Sequence, residues 1–340
     1  MMKAEKERNN PFLFLSMKIG NIEFQGNVIL APMAGITNIA YREYMKKFGV
    51  ALTYTEMVSD CGLIYENKVT YKYLEISKSE HPVAIQIFGG KKETLLEALK
   101  IIESQKDDYD FIDVNLGCPV PKVTKTGAGS AWLKRKEELF DMISALVKAS
   151  KKPVTAKIRI GWDDSSINVE EIVLTLQNAG ISLIAIHPRT RNQLYSGKAN
   201  YERIKDIKSI MTVPLVISGD IFTLEDAINA QEMTNADGIM VARGALGNPY
   251  LIKQIDHYFK TGEKLSNPTL EDQIRYLNEY ALELIKLKGE YVAIHELRGI
   301  APHFFKGYPN TKQIRLRLAT EIETFSDLEK ILNDIKASML

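Results

Sequence analysis

Cysteine is nearly absent: Cys61 and Cys118 are the two in 340 residues. Two thiols cannot build a disulfide framework, and their scarcity points to a reducing compartment. An excess of one charge sign is also missing. The 44 basic and 43 acidic side chains leave a formal net charge of +1, which excludes a uniformly basic nucleic-acid coat but not a local basic patch. No apolar run approaches the length of a membrane span. The run Phe12–Leu15, after a charged start, is too brief for the core of a secretory signal, and no small-residue cleavage site follows it. Residues 1–15 therefore read as a frayed tail and the protein as cytoplasmic. A Walker loop, an HExxH pair, a CxxC pair and a GxGxxG turn after the first strand are all lacking. Their absence removes the support for P-loop, zinc and dinucleotide-fold readings.

What is present is an alternation of short apolar strands and amphipathic helices. The strands fall at Val28–Ala31, Leu52–Met57, Val83–Phe88, Phe111–Leu116, Val154–Ile160, Leu183–His187, Leu215–Ser218 and Gly238–Ala242. Helices are expected at Ile39–Phe48, Glu93–Ile102, Lys136–Ala149, Val169–Ala179, Tyr201–Ile210, Leu224–Glu232 and Pro249–Tyr258. Eight such units predict an α/β fold, a closed (β/α)8 TIM barrel, with an open doubly wound sheet as the alternative. The barrel is expected over residues 16–260. A linker over 261–270 carries Gly262 and Pro268. Over 271–340 apolar residues recur at helical spacing, as in Ile274, Leu277, Ala281, Leu284 and Ile285, predicting a small all-α bundle.

In such barrels chemistry gathers at the C-terminal ends of the strands. The fourth strand runs into FIDVNLGCPVPKVTKTGAG, residues 111–129, where an apolar run stops at Gly117-Cys118-Pro119 and a loop broken by glycine and proline follows. A thiol there is placed for catalysis; the other outcome for a lone cysteine is a small buried space-filler. Asn115 lies just before it. The other strand ends supply Pro32, Met33 and Ala34; Gln86; Lys157 and Arg159; His187 and Arg189; Ser218, Gly219 and Asp220; and Ala242, Arg243 and Gly244. Lys157 interrupts the apolar VTAKIRI, and a lysine buried there needs a carboxylate or a ligand against it, whereas one facing solvent does not. Gln86 and His187 read equally well as site residues or as satisfied interior groups. Met33 reads as packing whose backbone lines a pocket. The strongest pattern is the glycines and Arg243 after strands seven and eight, where barrels hold phosphate on loop amides. A phosphorylated organic cofactor fits better than a metal.

Six stretches occur in a familiar order: APMAGIT at 31–37, IQIFGG at 85–90, NLGCP at 115–119, AKIRIGW at 156–162, HPRT at 187–190 and ARGALGNP at 242–249. With them the chain resembles the tRNA-dihydrouridine synthases, FMN-dependent flavoenzymes that use NADPH to reduce uridines in tRNA. The resemblance implies that Pro32, Met33 and Ala34 pack under the flavin and that Gln86 and Lys157 bond the polar edge of its ring. It places His187 near both flavin and substrate, and Ser218, Gly219, Asp220, Ala242, Arg243 and Gly244 at the FMN phosphate. Cys118 would protonate uracil C5 after hydride reaches C6, and Asn115 would orient the base. The reacting base would have to flip out of the folded RNA.

The helical region would grip tRNA. Between residues 295 and 317, Arg298, Lys306, Lys312, Arg315 and Arg317 stand against Glu296, interleaved with His295, His303, Phe304, Phe305 and Tyr308. Basic and aromatic residues together suit phosphate contact and base stacking. In the loop 189–201, Arg189, Arg191 and Lys198 are further expected RNA contacts. A monomer without metal is expected. Two positions depart from the family pattern: Ser218 stands where Asn is usual, and Pro188 where Gly is common. The competing readings are an FMN barrel acting on a free pyrimidine, like a dihydroorotate dehydrogenase, and an RNA-binding protein whose barrel does not catalyse.

Overall fold

The computed structural model describes residues 17–337, so the tail expected over residues 1–15 lies outside the described residues. A small hairpin comes first, β1 (Lys18–Ile19) and β2 (Ile22–Glu23). The barrel wall follows in β3 (Val28–Leu30), β4 (Thr53–Tyr54), β5 (Val58–Ser59), β6 (Val83–Phe88), β7 (Phe111–Leu116), β8 (Val154–Arg159), β9 (Ile184–His187), β10 (Leu215–Ser218) and β11 (Gly238–Val241). All pairs are parallel, in the order β3-β11-β10-β9-β8-β7-β6-β4, and β5 continues alongside the far end of β6. The wall closes where Leu30 N–H donates to Leu52 O (3.0 Å) and Ala51 N–H donates to Val28 O (2.8 Å). This is the expected (β/α)8 barrel.

Around the wall lie α1 (Ile39–Lys46), α2 (Asp60–Ile64), α3 (Lys68–Lys72), α4 (Lys92–Gln105), α5 (Pro121–Thr124), α6 (Lys136–Ala149), α7 (Val169–Asn178), α8 (Leu224–Thr234) and α9 (Tyr250–Thr261). Outward-facing strand residues pack on these helices, while a separate cluster fills the bottom of the barrel interior. There Met17, Ile19 and Phe24 of the hairpin segment press on Ile29, Phe111, Leu183, Val216 and Met240, and the Phe24 and Phe111 rings stack at 5.9 Å. The hairpin thus plugs one end of the barrel, leaving the other for chemistry.

Two expected elements differ. The strand expected over Leu52–Met57 shortens to β4, and β5 lies beyond its expected end; between the two the Thr55 hydroxyl accepts the Gln86 N–H (3.1 Å). The helix expected over Tyr201–Ile210 is two short 3-10 turns, Tyr201–Ile204 and Ile207–Ile210. Each is closed by bonds between residues three apart, Arg203 N–H to Asn200 O and Ser209 N–H to Asp206 O.

After the linker come α10 (Leu270–Lys288), α11 (Glu290–Ile300), α12 (Lys312–Thr320) and α13 (Phe325–Ala337). A capping box starts α10: the Thr269 hydroxyl accepts from Asp272 N–H, and the Asp272 carboxylate accepts from Thr269 N–H. This helix lies against α1. Tyr44 Oη donates to Tyr276 O (2.9 Å), and the Tyr280 ring packs on Tyr41 (5.5 Å) and Tyr44 (5.6 Å). One apolar cluster runs from the barrel helices into α10, α11 and α13. No helix of the described residues is long and apolar enough to cross a membrane.

Candidate active site

Strand register decides which side chains meet. Side chains alternate along a strand, so residues paired across the ladder share a face. Asn115 pairs with Lys157, Lys157 with Ala185, and Arg159 with His187. Asn115, Lys157, Arg159 and His187 therefore all face the barrel axis near its open end. With Cys118, Pro32, Met33, Ala34, Ser218, Gly219, Ala242 and Arg243 they line a cavity of about 440 Å³. A larger groove, about 610 Å³, runs between α10 and α13, but charged side chains such as Arg275, Glu279 and Lys336 share its lining with Ile274 and Leu332, and no strand-end residue reaches it.

The Cys118 loop is held by its backbone. Asn115 Oδ1 accepts the N–H groups of Gly117 (3.1 Å) and Cys118 (2.8 Å), and Cys118 O accepts from Ser130 N–H (3.1 Å). Gly117 O accepts from Arg159 Nε (3.1 Å). The thiol itself is half-buried on the cavity wall. Burial pushes it up from its ordinary range, against a smaller downward pull from the Val120 backbone, Arg159 and Lys157.

Beneath the cavity lies a polar layer. Asn115 Nδ2 donates to Gln86 Oε1 (2.8 Å), Gln86 Nε2 to Asp113 Oδ2 (2.7 Å), and Thr155 Oγ1 to Asp113 Oδ1 (2.6 Å). Gln86 is fully buried, with both ends of its amide engaged by protein. It lies outside the cavity lining, with Asp113 and Asn115 each engaging one end of its amide. Asp113, never singled out in the sequence, is held up at about 6 by burial, against the hydrogen bonds of Thr155 and Gln86 and the charge of Lys157.

The cavity wall is cationic and carries no carboxylate. Lys157 is pulled down to about 8, first by burial and then by Arg159, with Asp113 and Cys118 opposing. His187 falls well below its ordinary value through burial and the charges of Lys157, Arg159, Arg189 and Arg243. It is neutral at pH 7. Its Nε2 lies 3.2 Å from Arg189 Nη1. Arginine only donates, so Nε2 is the acceptor and the imidazole proton sits on Nδ1.

Several expected site residues land elsewhere. Arg189 is 1% exposed: it grips Asp220 through both carboxylate oxygens (2.8 and 2.6 Å) and donates to the carbonyls of Ser196 and Gly197. A guanidinium so committed organises the loop and offers nothing to RNA. Asp220 also accepts from Ala199 N–H (2.9 Å) and Arg243 Nη2 (3.4 Å). Burial works against its charge, but these partners outweigh it and hold the carboxyl below its usual range. An ionised carboxylate would repel phosphate, and Asp220 instead bonds Arg189 and Arg243. Phe304 and Phe305 are buried in the core and cannot stack on bases. Arg317 is paired with Glu321 and Asp334 (both 3.0 Å). Arg298 Nε donates to Ile322 O (2.8 Å). Lys198 and Lys306 are exposed.

Sequence reasoning noted Arg159 at its strand end without giving it a role and passed over Met57 and Tyr195; all three line the same cavity. Arg159 was findable, since a spacing of two from Lys157 puts both on one strand face. Glu56 gave no signal. It is a buried carboxylate that accepts the Gly35 N–H (2.5 Å), bracing the loop after β3.

Residues 29–339 match the family described as dihydrouridine synthase (Dus). The chain belongs to the dihydrouridine synthase family. It is 37% identical over 300 residues to a probable tRNA-dihydrouridine synthase of Rickettsia conorii, covering 88% of this chain and 90% of that one. It is 36% identical over 319 residues to a probable tRNA-dihydrouridine synthase of Aquifex aeolicus, covering 92% and 96%. A tRNA-dihydrouridine synthase B of Pseudomonas putida is 34% identical over 303 residues, covering 89% of each. Among solved structures, histamine dehydrogenase from Rhizobium sp. 4-9 superposes with a TM-score of 0.52 at 12% identity, over 80% of this chain and 51% of that one. The 6-hydroxypseudooxynicotine amine oxidase of Pseudomonas geniculata N1 gives 0.53 at 14%, over 73% and 50%. This family member spans about half the length of those two enzymes, which share its barrel fold.

Among its described residues no group of three or more His, Cys, Asp or Glu side chains is arranged to hold a metal. The cavity does suit FMN. Its wall is cationic, and the strand-seven and strand-eight turns are built for close approach. A Cβ on Gly219 would lie 2.7 Å from Tyr201 Oη, and one on Gly244 would lie 1.9 Å from Ile221 O. Only glycine leaves these turns where they are.

Proposed function

We propose that this chain reduces the C5–C6 double bond of uridines in tRNA at the open end of the barrel, with Cys118 as proton donor and NADPH as the source of reducing equivalents. The protein is an FMN-dependent oxidoreductase of the tRNA-dihydrouridine synthase type. The observation that carries the residue assignments is the convergence of Cys118, Asn115, Lys157, His187 and Arg243 on one cavity without a carboxylate in its wall. Bound FMN supplies the hydride that uracil C6 receives.

The side chains divide the remaining work. Pro32, Met33 and Ala34 would form one wall against the flavin, and Ser218, Gly219, Ala242, Arg243 and Gly244 would hold its phosphate. Lys157 would place a cation beside the bound flavin, where it would stabilise negative charge gained on reduction. Cys118 gives its Sγ proton to C5 as C6 takes hydride, and solvent restores that proton. A raised thiol pKa keeps the donor form in place. Asn115 fixes the Cys118 backbone through its Oδ1, so its effect on the base is exerted through the loop. Residues 16–260 form the catalytic unit, 261–270 the connection, and 271–340 the helical region that grips tRNA, with Lys306 and the barrel's Lys198 reaching RNA phosphates. The protein works in the cytoplasm as a monomer.

Mass spectrometry of nucleosides from an unmodified tRNA transcript, incubated with the protein, FMN and NADPH, tests this reading. Dihydrouridine at mapped positions is the expected result. NADPH oxidation without that product would overturn the substrate and favour a free pyrimidine.

A further inference from the structure

We infer that Arg191 is a positioning residue that latches the Cys118 loop, and that RNA phosphate is not its partner. The inference rests on Cys118 being the proton donor. The loop after β7 turns into α5 only three residues beyond Cys118, and Thr124 ends that helix with its side chain buried. Arg191 reaches across from the loop after β9 and donates from Nη2 to Thr124 Oγ1 (3.2 Å). Its other terminal nitrogen donates to Asn192 Oδ1 (3.0 Å). The guanidinium lies over the Trp162 ring, 4.5 Å from its centroid, and Lys134 Nζ lies 3.9 Å from the same centroid. The backbone ties the loops after β8 and β9 together: Arg191 N–H donates to Gly161 O, and Asn192 N–H to Trp162 O, both at 2.9 Å.

From the other flank Arg135 Nη2 donates to Gly127 O (2.6 Å) and to Gly90 O (3.3 Å). The Cys118 loop is therefore pinned on both sides, by Arg135 from its own C-terminal end and by Arg191 from the neighbouring strand. Among the described residues, the Arg191–Thr124 bond is the one side-chain hydrogen bond between the loop after β9 and α5. A proton donor must sit within hydrogen-bond reach of the atom it protonates, and a displacement of about 1 Å can cost about a hundredfold in rate. Arg191 thus acts on the chemistry through the loop, without touching the base.

Thr124→Val is the decisive variant, since it deletes the hydroxyl while keeping side-chain volume and every charge. The FMN-loaded, prereduced protein is mixed with excess tRNA transcript, and single-turnover reduction is followed alongside tRNA binding by anisotropy. The expected result is a rate lower by about tenfold or more with tRNA affinity unchanged. Thr124→Ser should restore the rate. Arg191→Met should lose as much, and the double variant no more than either alone. If Thr124→Val reacts at the wild-type rate while Arg191→Met weakens tRNA binding, Arg191 is an RNA contact and the latch is wrong. Arg191→Lys covers the case in which Thr124→Val fails to fold. It keeps the charge and loses the planar fork, so the latch predicts a slow rate, and wild-type rate and affinity would refute it. Cys118→Ala, run in parallel, reports separately on the underlying reading: a normal rate there removes Cys118 as donor.

Discussion

Burial and charge act in opposite senses on Cys118. Desolvation raises the thiol, and Arg159 and Lys157 recover only part of that shift. The working form is the protonated one, so single-turnover reduction should hold level through neutral pH and decline only as pH climbs past the raised thiol pKa. A pH–rate profile of the prereduced protein checks this, and a rate that increases with pH would mean that the thiolate is the active form. Cys118→Ala should keep FMN and its reduction by NADPH while losing about 10²- to 10⁴-fold in tRNA reduction, the usual share of a general acid. Stopped-flow absorbance separates the two half-reactions. At this scale the sequence exposed the charged members of the site better than their duties. Arg189 and Arg243 both stood at strand ends as arginines. Only the structure distinguishes the one buried on Asp220 from the one at the cavity, because that difference depends on a carboxylate 31 residues away from Arg189.

The elements were legible wherever one period dominated. β7 is a run of six buried residues, and α8 is bounded by a Thr223–Asp226 capping box and a left-handed Asn235. Legibility failed where side chains competed with the backbone, as when the Thr55 hydroxyl takes a ladder N–H or when the Asn200–Ile210 segment bonds three residues apart. The polar layer of Gln86, Asp113 and Thr155 was hidden for another reason: inward polar residues on three separate strands become a network only once the register is set. The turn after β11 gives a sharper expectation. A Cβ at position 244 would lie 1.9 Å from the Ile221 carbonyl, with backbone as the obstacle. Gly244→Ala should therefore displace that turn, weaken FMN binding by about tenfold or more and lower the melting temperature. Flavin fluorescence titration reads the first effect, and wild-type affinity would remove this turn from the phosphate site.

At the scale of the molecule, barrel and helices share one apolar core. Tyr280 is fully buried between Tyr41 and Tyr44 at that junction. Tyr280→Ala should cost about 3–5 kcal/mol, as for other buried aromatic truncations. Denaturant unfolding should remain a single transition in which both regions lose structure together. Two separated transitions would mean that residues 271–340 fold on their own. RNA affinity should carry a different signature. Replacing exposed Lys198 or Lys306 by Ala should weaken tRNA binding evenly across sequences and reduce its salt slope by about one each. The carboxylate-free wall around Lys157 has a further consequence, in proton accounting. An ammonium held at about pH 8 has already shed part of its proton in the empty barrel at that pH. An incoming anionic cofactor restores it, so loading the apoprotein at pH 8 or above should draw protons from the medium. The heat of FMN binding should then vary with the ionisation enthalpy of the buffer, and Lys157→Met should make it buffer-independent.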